Sequence, residues 1–136
     1  GDGLDFSNII LVGQRDVDSC EVEIIKSKAI QFICPNSQDL YSELKKAIAN
    51  RPVYVHLDCD VLNPRIVPTE YMSENGLSLD ELKLASMAIA EHEVIGVEIA
   101  EFQYAWEEGG EAVSPVPLLN ALEPILERLS RTGAVC

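Results

Sequence analysis

This sequence is poor in basic residues, in histidine and in long apolar runs, and the first and last of these shortages exclude whole classes of function. Ten Lys and Arg stand against 23 Asp and Glu, for a formal net charge of −13. A chain of that sign repels phosphate backbones and anionic lipid headgroups, which argues against nucleic acid and membrane partners. It suits a small cationic ligand weakly, and acidity for solubility is the plainer reading. No run of about 18 apolar residues occurs, so no membrane-spanning helix is expected. Gly1-Asp2-Gly3-Leu4-Asp5 is acidic and lacks the basic region and apolar core of an export signal, which points to the cytoplasm. The four cysteines, Cys20, Cys34, Cys59 and Cys136, lie far apart with no metal-type spacing, and reduced thiols are expected. Repeats and low-complexity segments are absent too.

What remains is 136 residues with 47% apolar content, enough for one domain with a buried core. Residues 8–12 (NIILV), closed by Gly13, read as a strand buried on both faces. Ser19 is placed to cap a helix whose apolar stripe is Val22, Ile25 and Ala29. Residues 29–33 give a second strand. Ser37 then caps a helix with Leu40, Leu44 and Ile48 on one face and Asn50 as its C-cap. Residues 53–58 form a third strand, rich in β-branched and aromatic side chains. A long loop runs from Val61 to Gly76. After it, Ser78 and Glu81 make a capping box, with Leu77 and Leu82 as its hydrophobic staple. The helix they start carries Leu82, Ala85 and Ile89 inward and ends near His92. Residues 94–100 (VIGVEIA) are a fourth strand. A last helix begins at Ser114 with Pro115 in its first turn and buries Leu118, Leu122, Ile125 and Leu129. Pro124 is expected to kink or split it, and Thr132 to Cys136 to fray. This alternation of strand and helix defines an α/β fold layered on a mostly parallel sheet, read as a single domain over residues 1–136.

Three strand ends carry the chemistry. Asp58 and Asp60 close the third strand and, while the chain stays extended, point to one side. Two carboxylates there repel each other and lose solvation, and a hard cation such as Mn²⁺ or Mg²⁺ removes both penalties. The pair alone is an even choice between a metal site and a capped loop. Arg15, Asp16 and Asp18 follow the first strand, with Glu21 behind them, where open parallel sheets place their ligands. Taken alone they read more readily as a solvated loop with an internal ion pair. Glu98 lies inside the fourth strand, where a carboxylate needs a partner, and Glu101 lies just beyond its end. Tyr104 and Trp106, beside Glu107 and Glu108, line a pocket or an interface, with core packing the commoner alternative. His92 at a helix end answers the helix dipole in the plainer reading.

In order and spacing these signals resemble the carboxyl-terminal half of the arginase/agmatinase (ureohydrolase) family. The segment DxDVLNP from Asp58 to Pro64 is similar to the family's strand-DxDxLDP signature. Residues 13–21 (GQRDVDSCE) resemble its GLRDVDPGE segment, and residues 95–103 (IGVEIAEFQ) its GxDIxEVNP strand. The loop from Val61 to Leu77 has nearly the family length. The likeness implies a three-layer αβα fold with a mostly parallel sheet, of which this chain is an arginase-like half. It also implies a metal-dependent hydrolase that uses two Mn²⁺ ions to split a guanidino group into urea and an amine. Carried onto this sequence, Asp58 bridges both metals and Asp60 binds one of them. Glu101 accepts hydrogen bonds from the guanidinium of a small cationic substrate. Asp18 and Glu21 approach the other end of that substrate, and Arg15 and Asp16 order their loop. A paired-metal site that generates hydroxide, with carboxylates facing a planar guanidinium, suits such chemistry.

The departures are as informative. The family's other ligands, a His and a DxHxD cluster, have no match, because only His56 and His92 are present and neither lies in such a motif. His56 shares the strand period of Asp58, but a core position or one supporting a ligand is the plainer reading. The family's histidine proton shuttle has no counterpart. Thr69-Glu70-Tyr71-Met72-Ser73 stands in place of a Gly-Thr-rich segment, and Asn63 in place of an aspartate. The expectation is a carboxyl-terminal fragment or separately expressed half that binds Mn²⁺ weakly and is inactive alone. One alternative is a non-catalytic α/β interaction module. An incomplete sheet favours self-association as a homo-oligomer, with Phe102, Tyr104 and Trp106 as interface candidates. A DxD phosphatase ranks lower, since Lys83 sits in a helix and no later acidic pair follows on a strand.

Overall fold

The computed structural model describes residues 3–132. The chain runs β1 (Ile10–Val12), α1 (Ser19–Ser27), β2 (Gln31–Ile33), α2 (Leu40–Ile48), β3 (Val53–Asp58), α3 (Leu79–Ala90), β4 (Val94–Ala100) and α4 (Val116–Thr132). Short 3-10 turns at Phe6–Asn8 and Cys59–Val61 precede β1 and follow β3. The pairing is parallel throughout, β1 with β2 and β3 with β4, each pair joined through a helix as parallel strands require. This is the α/β class expected from the alternation. The ladder is broken, however, into two separate two-stranded sheets.

Period-two alternation decides what β3 buries. Val53, Val55 and Leu57 turn to the core, where Leu57 and Val94 meet the buried Leu82, Ala85 and Ala88 of α3 and Leu118, Ala121, Leu122 and Ile125 of α4. Leu40, Leu44 and Ile48 of α2 are buried as their spacing predicts. Tyr54 and His56, paired with Gly96 and Glu98, lie on the opposite face, and Tyr54, His56 and Glu98 are exposed. The Tyr54 ring lies against Gly96: a Cβ there would come within 2.6 Å of it, and the ring would have to shift. Among the described residues no helix is long and apolar enough to cross a membrane.

Several boundaries differ from the sequence expectation. A 3-10 turn capped by Asp5 occupies Phe6–Asn8, so β1 starts at Ile10, and its three residues are half-buried rather than buried on both faces. Asp18 caps α1 in place of Ser19, and Asp39 caps α2 in place of Ser37. In both, a carboxylate accepts an amide of the first turn and also answers the positive helix end. Both helices stop early. Ala29 and Ala49 each take a φ of 54°, which removes Ala29 from the α1 stripe and puts the α2 C-cap one residue before Asn50. β2 therefore starts at Gln31. Helix α4 begins after Pro115 and continues through Pro124 without splitting. The Ile125 amide, next to that proline, donates to the buried Ser86 hydroxyl of α3 at 3.3 Å, which supports the backbone at the interruption. Residues 133–136 of the expected frayed end lie outside the described residues.

The capping box at α3 forms as read. Ser78 Oγ accepts the Glu81 amide at 3.1 Å, and Glu81 accepts the Ser78 amide at 2.8 Å, above buried Leu77 and Leu82. Ser78→Ala is expected to cost about 1 kcal/mol in urea unfolding, with Ser78→Asp close to wild type.

Candidate active site at the strand ends

The site grows from the end of β3. After Asp58 the backbone turns into the 3-10 segment Cys59–Val61, so the extended geometry that would place Asp58 and Asp60 on one side ends at Cys59. The turn still keeps the two carboxylates together. Asp58 Oδ1 accepts the Asp60 amide at 3.4 Å, and both residues are half-buried. Burial raises the Asp60 carboxyl above its ordinary range, Asp58 adds to this by charge and hydrogen bonding, and Arg15 opposes it. Between the pair, Cys59 is 1% exposed. Burial pushes its thiol up to about 11, with Asp58, Asp60 and Glu101 adding their negative charge. Three carboxylates from two strand ends therefore act on one buried thiol.

Glu101 reaches this region because Ala100 pairs with Asp58 in register, so the next residue of β4 leaves the sheet beside the Asp58 turn. Its φ of 60° is uncommon outside glycine and asparagine and bends the chain sharply at that point. Gln103 N then donates to Pro68 O at 2.9 Å, tying this segment to the loop after β3.

Arg15 links the end of β1 to the same place. Nη2 donates to the carbonyls of Asp60 (2.7 Å), Leu62 (3.0 Å) and Ser73 (2.6 Å), and Nη1 to Val61 (3.1 Å). Nε is shared between Ser73 and Glu74 carbonyls at 3.1 Å each. Asp16, with a φ of 57°, accepts a hydrogen bond from the Ser73 hydroxyl. Arg15 thus pairs with main-chain carbonyls, and no ion pair inside its own loop is formed among the described residues.

Asp18 and Glu21 are occupied with each other's backbone. Asp18 Oδ1 accepts the Glu21 amide and Glu21 Oε2 the Asp18 amide, both at 2.9 Å, closing the start of α1. The D-x-x-E spacing that signals such a box is present in the sequence, one residue ahead of the Ser19 that also suits a cap. His56 is neither in the core nor beside a carboxylate of the strand end. It pairs at 3.0 Å with Glu98 on the open face, where both side chains are more than half exposed. Solvent and this pairing together remove the penalty expected for Glu98 within a strand. His92 lies beyond α3, with its Nε2 buried and without a hydrogen-bond partner.

Past Glu101, Phe102 packs against the core. Tyr104 is 73% and Trp106 48% exposed, so core packing does not hold for this pair. With Gln103, Glu107 and Glu108 they line an open cavity of about 440 Å³.

The donor set does not make a complete metal site. Asp58 and Asp60 supply carboxylate oxygens, but among the described residues no group of three or more His, Cys, Asp and Glu side chains is arranged to hold an ion. Calcium, magnesium and manganese sites need more ligands than this pair provides.

Fold and site together define an α/β protein with acidic residues gathered at the carboxyl ends of parallel strands, the usual ligand edge of such sheets. The chain belongs to the arginase family, whose model matches residues 2–114. It is 35% identical over 101 residues to the N(omega)-hydroxy-L-arginine amidinohydrolase of Streptomyces lavendulae, covering 74% of this chain and 37% of that protein. Its fold superposes on Helicobacter pylori arginase with a TM-score of 0.75 at 22% identity, over 93% of this chain and 44% of the other. The proclavaminate amidino hydrolase of Streptomyces clavuligerus gives 0.74 at 18% identity, over 94% and 45%. The chain therefore spans between 37% and 45% of the length of these relatives.

Proposed function

We propose that this chain is the carboxyl-terminal part of a manganese-dependent ureohydrolase that hydrolyses a guanidino C–N bond to urea and an amine. The convergence of Asp58, Asp60 and Glu101 at adjacent strand ends, in a chain of the arginase family, is the observation that carries this reading. Asp58 and Asp60 are its metal carboxylates and Glu101 is its guanidinium acceptor. Asp18 and Glu21 stand near the other end of a small cationic substrate, and Arg15 and Asp16 support the loops. Two Mn²⁺ ions belong to the complete site and supply its hydroxide. The donors found here cover only part of it, and the others come from outside this chain. The same reading makes the protein a cytoplasmic homo-oligomer, and family membership favours it over a DxD phosphatase.

Alone, the purified 136-residue chain is expected to bind Mn²⁺ weakly, with a dissociation constant no tighter than about millimolar, and to release no urea from arginine or agmatine. Isothermal titration and a urea assay check this. Steady Mn²⁺-dependent urea release by the isolated chain would overturn the partial-site reading. Loss of the residual Mn²⁺ signal in Asp58→Asn with Asp60→Asn supports the assignment of those two carboxylates, and its persistence removes it.

A further inference from the structure

The loop after β3 has no secondary structure of its own between Asn63 and Ser73, yet its two ends meet. Asn63 N donates to Leu77 O and Leu77 N to Val61 O, each at 2.9 Å, which closes the base like a short parallel ladder. Gly76 permits this approach: a Cβ there would lie 2.6 Å from Val61 O and from the Leu62 carbonyl carbon. The Arg15 guanidinium bonds carbonyls at the loop's start (Asp60, Val61, Leu62) and near its end (Ser73, Glu74). Asp16 holds Ser73 through its hydroxyl as well.

We propose that Arg15 is a positioning residue, a clasp whose guanidinium fastens both ends of the 63–72 loop and fixes the backbone that aims the Asp60 carboxylate. The assignment rests on the reading of Asp58 and Asp60 as the working edge of the site. Five carbonyl dipoles converge on one spot, and each needs a donor if it is withdrawn from water. A guanidinium offers five N–H donors fixed in a plane, so it can span oxygens on both arms of the loop. A lysine ammonium has three donors on one nitrogen, so it can replace at most the Nη2 contacts and leaves the Val61 and Glu74 carbonyls without their guanidinium donors. The grip on Asp60 is through its own carbonyl, which lets a residue on the β1 loop set the direction of a side chain on the β3 loop without touching it.

The test uses the isotopically labelled 136-residue chain without metal. In the wild type, the Arg15 Nη protons are expected to give resolved, slowly rotating resonances. A single averaged signal overturns the clasp without any variant. In Arg15→Ala, amide exchange across residues 60–77 is expected to rise at least tenfold, while α2 and α4 exchange as before. The Asp60 side-chain carboxyl ¹³C resonance moves and that of Asp39, at the start of α2, stays. In Arg15→Ala, millimolar guanidinium is expected to restore part of the lost protection, and an equal concentration of urea is not. Wild-type exchange in Arg15→Ala, or equal loss of protection over the whole chain, overturns the proposal. Mn²⁺ added to the wild type separates the two readings. If Arg15 passes these tests and Mn²⁺ leaves the Asp58 and Asp60 signals unbroadened, the clasp stands and the metal assignment falls.

Discussion

Iodoacetamide at pH 8 is expected to alkylate Cys59 at least a hundredfold more slowly in the native chain than in the same chain unfolded in urea, while exposed Cys20 and Cys34 react in both. Only the thiolate attacks, and burial with the charges of Asp58, Asp60 and Glu101 pushes the Cys59 thiol up to about 11. A rise of about two pKa units cuts the thiolate fraction at pH 8 by about a hundredfold, and the lack of access slows the reaction further. Peptide mapping of the alkylated protein reads the rate at each site. The double variant Asp58→Asn with Asp60→Asn is expected to recover part of the rate and no more, because burial is the larger cause. Equal rates in the folded and unfolded chains would mean that the three carboxylates do not surround this thiol. A pH dependence follows from the same shift. The unfolded chain ionises this thiol near 9.0 and the folded chain near 11, so its contribution is intact below 9.0 and stability falls as pH rises between those values.

How much of this was readable beforehand depends on whether a feature is written in side chains. Helix α3 was, since Ser78, Glu81, Leu77 and Leu82 each carry a local signal and all agree. The bounds of β4 were, and so was the core face of α2. The caps of α1 and α2 are not legible in the same way, because serine and aspartate compete for one role only a residue or two apart, and the carboxylate takes it in both. The exposure of Glu98 is not legible either, because VIGVEIA reads as an apolar strand and periodicity does not say which face a sheet leaves open. At the site, Asp58, Asp60 and Glu101 were legible as strand-end carboxylates. The partners of Arg15 were not, because they are main-chain carbonyls that any residue possesses, lying from 45 to 59 positions away along the chain. Sequence patterns report side chains, so a clasp made on backbone leaves no trace on one of its two sides.

Leu122→Ala is expected to remove about 3 kcal/mol of stability, a large share of the roughly 5–15 kcal/mol of an ordinary domain. Leu122 is 0% exposed and sits where α4 packs most closely, on α3 and on β4. The substitution strips the transfer free energy of the buried side chain and leaves a cavity that rigid neighbours fill only in part. This chain has little to compensate with at this sheet, because the Tyr54 and Glu98 face of β3 and β4 is open and these strands are buried on the inner face toward α3 and α4. Leu119, 39% exposed on the same helix, makes the control, and Leu119→Ala is expected to cost well under about 1 kcal/mol. Urea midpoints at constant m-value compare the two. The consequence reaches the site, since β3 and β4 carry Asp58 and Glu101 at their ends, and packing on α3 and α4 supports the ladder that holds those ends in register. Alkylation of Cys59 should therefore accelerate in Leu122→Ala, where α4 is loosened, and stay slow in Leu119→Ala. A Leu122→Ala chain with an unchanged midpoint would show that α4 does not hold this sheet.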